Sequence, residues 1–234
     1  MKYKFYTCDV FTDTRFGGNP LAVVLDAEGL TTEQMQLIAR EFNYSETTFI
    51  LPPEQGYTNK VRIFNRTSEM PFAGHPNIGT AFTFASIGRL GDFNESAQVT
   101  SEEKAGLVAI TVHKEMGKPI WCELKAPEVL SIGKTVTPEH MAAILSLELD
   151  DIVTQTHRPQ VASVGLPFIF TELKDRSALE RIKVNTTVLA ELEEGIRPSL
   201  FTYIHSQDDF DIRARMFAPL AGTIEDPATG SANC

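Results

Sequence analysis

A seven-residue motif occurs twice in this chain, and its recurrence constrains the fold more than any other feature. His75-Pro76-Asn77-Ile78-Gly79-Thr80-Ala81 and Asp226-Pro227-Ala228-Thr229-Gly230-Ser231-Ala232 both read [H/D]-P-x-x-G-[T/S]-A, at a constant offset of 151 residues. Upstream, Val61-Arg62-Ile63-Phe64 is echoed by Ala214-Arg215-Met216-Phe217 at an offset of 153. Further back, Pro20-Leu21-Ala22-Val23 has a looser counterpart in Pro167-Phe168-Ile169-Phe170, and a helical segment follows each. Ordered echoes at this distance exceed any solenoid period and imply two copies of one domain. A length of 234 residues by itself fits either one domain or two. The repeat decides for two, over residues 1–127 and 128–234.

Hydrophobic periodicity places the motif among strands. Tyr3 to Thr12 alternates as a strand, and Gly17-Gly18-Asn19-Pro20 turns the chain into a buried strand over Leu21 to Leu25. Thr31-x-x-Gln34 is a capping box, and Met35, Ile38, Ala39 and Phe42 recur at helical spacing, which predicts a helix over 32–42. Strands follow at 45–51 and 60–65. From Pro76 the chain reads as a helix that is apolar on nearly every face, and such a helix belongs inside a protein. Strands at 97–100, 107–113 and 120–125 predict a curved sheet around it. A helix over 138–147 connects to further strands at 160–172.

Both motif copies set a helix-capping residue before a proline whose missing N–H costs nothing in a first helical turn. The glycine and the small hydroxyl residue after it let backbone or ligand approach closely. Two such helix starts facing each other across a cleft suit a carboxylate. His-Pro and Asp-Pro are equally well explained as plain caps. The net charge of −10 argues against a nucleic-acid binder, which needs a basic face. No purely apolar run is longer than the five residues of Leu21 to Leu25, so no membrane helix is expected, and the first residues do not read as a signal peptide. Cysteine is limited to Cys8, Cys122 and Cys234, which fits a reducing cytoplasm, and the five histidines show no metal-ligand spacing.

Three blocks resemble the signature segments of the PhzF family of phenazine-biosynthesis proteins. They are Asn43-Tyr44-Ser45-Glu46-Thr47-Thr48-Phe49, Pro71-Phe72-Ala73-Gly74-His75-Pro76-Asn77-Ile78-Gly79, and Glu225-Asp226-Pro227-Ala228-Thr229-Gly230-Ser231-Ala232. Asp9-Val10-Phe11-Thr12 with Gly18-Asn19-Pro20 is similar as well. The resemblance implies an α+β, diaminopimelate-epimerase-like fold, with two halves, each a curved sheet or barrel around a central helix. It implies a cofactor-independent isomerase, with no metal, acting on a small carboxylate-bearing substrate in a cleft between the halves. Dihydro-hydroxyanthranilate isomerisation is the reaction the likeness suggests, and a homodimer the assembly.

By the same resemblance Glu46 is the general acid/base, His75 and Asp226 are catalytic, and Gly74, Asn77, Gly230 and Ser231 contact substrate. The chemistry is sensible: a proton shift between carbons needs one group that takes a proton and returns it elsewhere. Glu46 lies between Tyr44 and Phe49, where burial would lift its carboxyl toward the working pH. Without the resemblance it reads as an exposed strand-end glutamate. His75 suits proton relay because an imidazole titrates near neutrality, although a lone histidine serves equally as a structural hydrogen-bonder. Racemase relatives of the family use paired cysteines, and neither motif here holds one, which disfavours thiol-based epimerisation. A non-catalytic small-acid binding protein is the alternative. A hydrolase built from Ser231, His75 and Asp226 lacks the G-x-S-x-G elbow.

Length bears on the second copy. The first half continues for 48 residues from Gly79 to Pro127, whereas only four follow Gly230. A complete second copy projects to about residue 278, so the second half is expected to be cut short at its central helix.

Overall fold

A computed structural model describes residues 2–116, 118–126, 128–193, 199–205 and 210–233. Pro127, where the domain boundary was expected, and Cys234 lie outside the described residues. The chain is a mixed α+β protein that divides into two compact units, Met1–Lys125 and Ala126–Cys234.

In the first unit β1 (Phe5–Val10) pairs antiparallel with β2 (Asn19–Val24), as the Gly-Gly-Asn-Pro turn dictates. Strand β2 then runs parallel to β3 (Glu46–Leu51), a pairing that needs a crossover, and α1 (Thr32–Phe42) supplies it. The capping box forms as read: Gln34 N–H donates to Thr31 Oγ1 at 3.2 Å, and Thr31 N–H donates to Gln34 Oε1 at 3.0 Å. Asn43 closes α1 in the left-handed region at φ 57°. Next come β4 (Asn59–Asn65), the two-residue β5 (Glu69–Met70), α2 (Gly74–Ser86), β6 (Ser96–Glu103), β7 (Gly106–Glu115) and β8 (Lys118–Leu124). The sheet order is β1-β2-β3-β4-β6-β7-β8, with β5 hung on β4.

Helix α2 packs against β1, β2 and β3 and also against β7 and β8. One helix meeting both ends of one sheet means that the sheet curls around it. Its buried residues run along the whole helix, from Gly74 to Ala85, as an all-round apolar pattern requires. The expectation of a barrel needs correction, because β1 and β8 are not hydrogen-bonded and the sheet stays open. Cys8, Val10, Phe11, Ile78, Phe82, Trp121 and Cys122 line a pocket of about 460 Å³ at that seam, so side chains stand where a ladder would close.

Gly79 sets how closely α2 approaches the strands. A Cβ there would lie 2.6 Å from Leu21 Cδ2, 2.7 Å from Val10 Cγ2 and 3.1 Å from Cys8 Sγ. Leu21 and Val10 are buried and have nowhere to retreat. Alanine gains up to about 1 kcal/mol of helix propensity over glycine. Overpacking costs about 1–3 kcal/mol. Gly79→Ala is therefore expected to give a net loss of about 1–2 kcal/mol in urea unfolding, and a stabilised variant would refute the contact.

In the second unit the sheet runs β14 (Thr223–Asp226), β13 (Ile212–Ala218), β12 (Ser199–His205), β11 (Pro167–Glu172), β10 (Gln160–Ser163) and β9 (Ser131–Thr135). Strand β10 is antiparallel to β11. Strand β11 is parallel to β12 through α4 (Arg176–Arg181) and α5 (Thr186–Ala190). Strands β12, β13 and β14 then continue antiparallel. This is the path and sense of β1-β2-β3-β4-β5, with β9 added at the edge. The helix α3 (Pro138–Leu145) joins α4, α5 and the sheet in a core centred on Met141, Ile144, Leu145, Ile169 and Leu200.

The motif copies differ in local structure from their sequence reading. Helix α2 starts at Gly74 instead of Pro76; its N-cap is Ala73, and no side chain caps it. His75 is therefore inside the first turn and is not a cap. Asp226 ends β14, and no helix forms over 227–233. Ser231 sits in a turn closed by Asn233 N–H donating to Gly230 O at 2.9 Å, not in a helix start.

Candidate active site

Glu46 opens β3 beside the parallel strand β2, in register with Leu21. Its side chain is 19% exposed and its Oε2 lies 3.4 Å from Nδ1 of His75, which is 6% exposed. The strand end and the first turn of α2 thus bring two residues 29 positions apart into contact. Burial drives the His75 pKa down from 6.5 to about 3, and the nearby Pro20 backbone only partly offsets this. The contact is therefore between a carboxyl group and a neutral imidazole, not an ion pair. This corrects the expectation of an imidazole titrating near neutrality.

His75 Nε2 is covered and makes no hydrogen bond among the described residues. Buried polar atoms are normally satisfied, so an orphan of this kind is suited to a ligand or an ordered water. Gly74 lies beside it at the uncapped start of α2, where main-chain N–H groups lack an intrahelical acceptor. Asn77 is on the same first turn; its Nδ2 donates to Ala73 O at 3.1 Å while its Oδ1 has no partner among the described residues. Beneath them Thr48 and Thr80 hydroxyls share a buried 2.9 Å hydrogen bond that ties β3 to α2.

The structure thus assembles Glu46, Gly74, His75 and Asn77 in the first unit. Asp226, Gly230 and Ser231 cluster in the second unit, at the end of β14. Sequence reasoning missed Phe11 as a site residue. Its ring lies edge-on to His75 with centroids 6.5 Å apart, and its backbone is left-handed at φ 64°. That conformation is uncommon for a bulky residue. The quoted Asp9-Val10-Phe11-Thr12 block was the signal available for it.

The chain shares its fold with a hydroxyproline epimerase from Agrobacterium vitis, at TM-score 0.60 and 13% identity over 92% of this chain and 71% of that one. It is an α+β protein with the fold of that epimerase. A PhzF-family phenazine biosynthesis protein from Bacillus anthracis superposes much more fully, at TM-score 0.85 and 29% identity, covering 100% of this chain and 78% of that one. An uncharacterized isomerase of Mesorhizobium japonicum is 38% identical over 96% of this chain and 76% of its own length. The trans-2,3-dihydro-3-hydroxyanthranilate isomerase of Pseudomonas aeruginosa is 31% identical over 98% of this chain and 77% of its own. The chain belongs to the PhzC-PhzF family, phenazine biosynthesis-like protein, whose profile matches residues 8–234. It is an isomerase, and so an enzyme.

Proposed function

We propose that this isomerase shifts a proton between carbons of a small carboxylate-bearing substrate, with Glu46 as general acid/base and no cofactor. The observation that carries the reading is the Glu46–His75 contact at 3.4 Å, with the imidazole neutral and its Nε2 unsatisfied. A carboxyl group accepts the proton from one carbon and returns it to another, since the group that takes it is also the acid that delivers it. A neutral imidazole donates or accepts a hydrogen bond at the reacting region without adding charge. First-turn N–H groups of α2 suit the substrate carboxylate.

In the same reading the two units are copies of one ancestral half. The shared strand path and the repeated motif support this. Asp226, Gly230 and Ser231 then complete the site across an interdomain cleft, with Asp226 the second catalytic carboxyl group. The enzyme works as a cytoplasmic homodimer; Cys8 and Cys122, free thiols among the described residues, fit a reducing compartment. Trans-2,3-dihydro-3-hydroxyanthranilate, named in the Pseudomonas aeruginosa relative, is the first substrate to test. Incubation in deuterated water with this compound, then with a panel of small cyclic and aromatic acids, is expected to place one deuteron on carbon in a turned-over product. Turnover without carbon-bound deuterium would point to a different reaction.

A further inference from the structure

Strand β3 and helix α2 both lead away from the candidate site, with Glu46 and His75 in contact at their near ends. Thr48 follows Glu46 by two residues, about 6.6 Å along the strand. Thr80 follows His75 by five residues, about 7.5 Å along the helix. At that matching depth their hydroxyl oxygens meet at 2.9 Å. Thr48 Oγ1 also donates to Ala22 O, at 3.5 Å, on the neighbouring strand β2. A hydroxyl has one proton, so with that of Thr48 directed to Ala22, Thr80 is the donor to Thr48. The bonds therefore run from α2 to β3 to β2. Thr48 is 0% exposed and Thr80 1%, so no water competes for either hydroxyl.

We propose that Thr48 and Thr80 are positioning residues for the candidate site: their hydroxyl pair fixes α2 along β3 and so holds His75 against Glu46. Side chains two apart on a strand share a face, so Glu46, Thr48 and Ile50 point the same way. Ile50 packs there with Leu21, Val23 and Phe84 of α2 in an apolar cluster. A valine at position 48 or 80 would fill the same space without the cost of burying a hydroxyl. What the hydroxyls add is direction. Apolar burial is non-directional and lets a helix slide. Gly79, next to Thr80, sets how deep α2 lies, through its closeness to Leu21 and Val10, and leaves motion along the strand open. A hydrogen bond between two β-branched side chains, each stiff at χ1, stops that motion. Thr83 shows the other course open to a threonine of this helix: its hydroxyl turns back to Gly79 O at 2.7 Å. Thr80 instead reaches across to the strand that carries Glu46. A slide of about 1 Å would take the 3.4 Å Glu46–His75 contact out of hydrogen-bond reach.

The test is a mutant cycle on the whole chain, read at pH 7 from the ring-nitrogen NMR signals of His75. In the wild-type chain Glu46→Gln should shift the Nδ1 signal, because its neighbour at 3.4 Å changes from a carboxyl group to an amide. The double variant Thr48→Val/Thr80→Val keeps both shapes and leaves neither hydroxyl orphaned, and it should lose most of that response. Thr80→Val alone should lose it too, and Thr80→Ser, which keeps the donor, should retain it. A pair that merely stabilised the fold would lower the urea midpoint of the valine variants and leave the response to Glu46→Gln at its wild-type size. That result would overturn the proposal. So would a wild-type Nδ1 signal that ignores Glu46→Gln, or a serine variant that behaves like the valine one. The part the pair plays in turnover rests on the proposed function, yet the cycle needs no substrate. Where trans-2,3-dihydro-3-hydroxyanthranilate takes up deuterium, Thr80→Val should slow the exchange by up to about 10²-fold and Thr80→Ser should keep it near the wild-type rate. A failed Glu46 activity test would remove the reaction and leave the ring-signal result standing.

Discussion

Glu46→Gln is expected to reduce solvent-deuterium exchange into substrate by about 10²–10⁴-fold while the chain folds normally. The amide matches the carboxyl group in size and keeps one carbonyl oxygen toward His75, but it cannot take up a proton and give it back. Loss of a general acid/base removes a step that nothing else in the first-unit cluster performs: His75 is neutral and stays so near pH 7. Because Glu46 lies at a strand end with 19% exposure, the substitution places no fully buried group in a new environment. The two outcomes are cleanly separated by far-UV circular dichroism and exchange rate measured on the same sample. A folded Glu46→Gln variant with wild-type exchange would end the general acid/base assignment, and with it the proposed mechanism.

What the sequence made legible follows from how local each rule is. The α1 boundaries came out as read, because a capping box and a 3.6-residue apolar period act within one helix. The echoed segments around Pro20 and Pro167 occupy like places, β2 and β11, each antiparallel to the strand before and parallel to the strand after. The start of α2 was misplaced by two residues because Pro76 is a good helix-start signal, yet a first-turn proline costs no bond at any of the first positions. The short β5 and the exposed β9 carry too little periodicity to register. Open against closed sheet is a non-local property, decided by side chains such as Phe82 and Trp121 at the seam. The chemistry was readable as residue types, but not as states. Nothing in the order of residues says that Glu103 is orphaned while Glu102 is triply hydrogen-bonded, since both depend on contacts with residues 26 to 48 positions away.

The second large effect concerns acid stability. His75 is held neutral when folded, with its pKa near 3, but in the unfolded chain it titrates at about 6.5. Below that value the unfolded state binds a proton that the folded state refuses, so stability falls as the pH drops. The contribution is fully present above pH 6.5 and is lost progressively down to the folded value of about 3. The slope approaches about 1.4 kcal/mol per pH unit, which amounts to about 2 kcal/mol between pH 7 and pH 5. Asp151 acts in a lower window. Its contacts with Lys174 at 2.6 Å and Arg181 at 2.8 Å hold it near 2, so its contribution is present above about 3.8 and fades as the pH falls through 2. Glu103, whose carboxyl burial lifts to about 8, shifts stability the opposite way over pH 5 to 7, so the histidine is isolated by comparing urea unfolding of the wild-type chain with His75→Gln at pH 7, 6 and 5. Between pH 7 and pH 5 the stability of His75→Gln, which has no titrating group at this position, should rise by about 2 kcal/mol relative to that of the wild-type chain. The matching NMR result is a His75 ring signal that does not move between pH 8 and pH 5. A ring that titrates near 6.5 in the folded chain, or equal slopes in the two proteins, would mean that the imidazole is charged beside Glu46, and the contact would then have to be read as an ion pair.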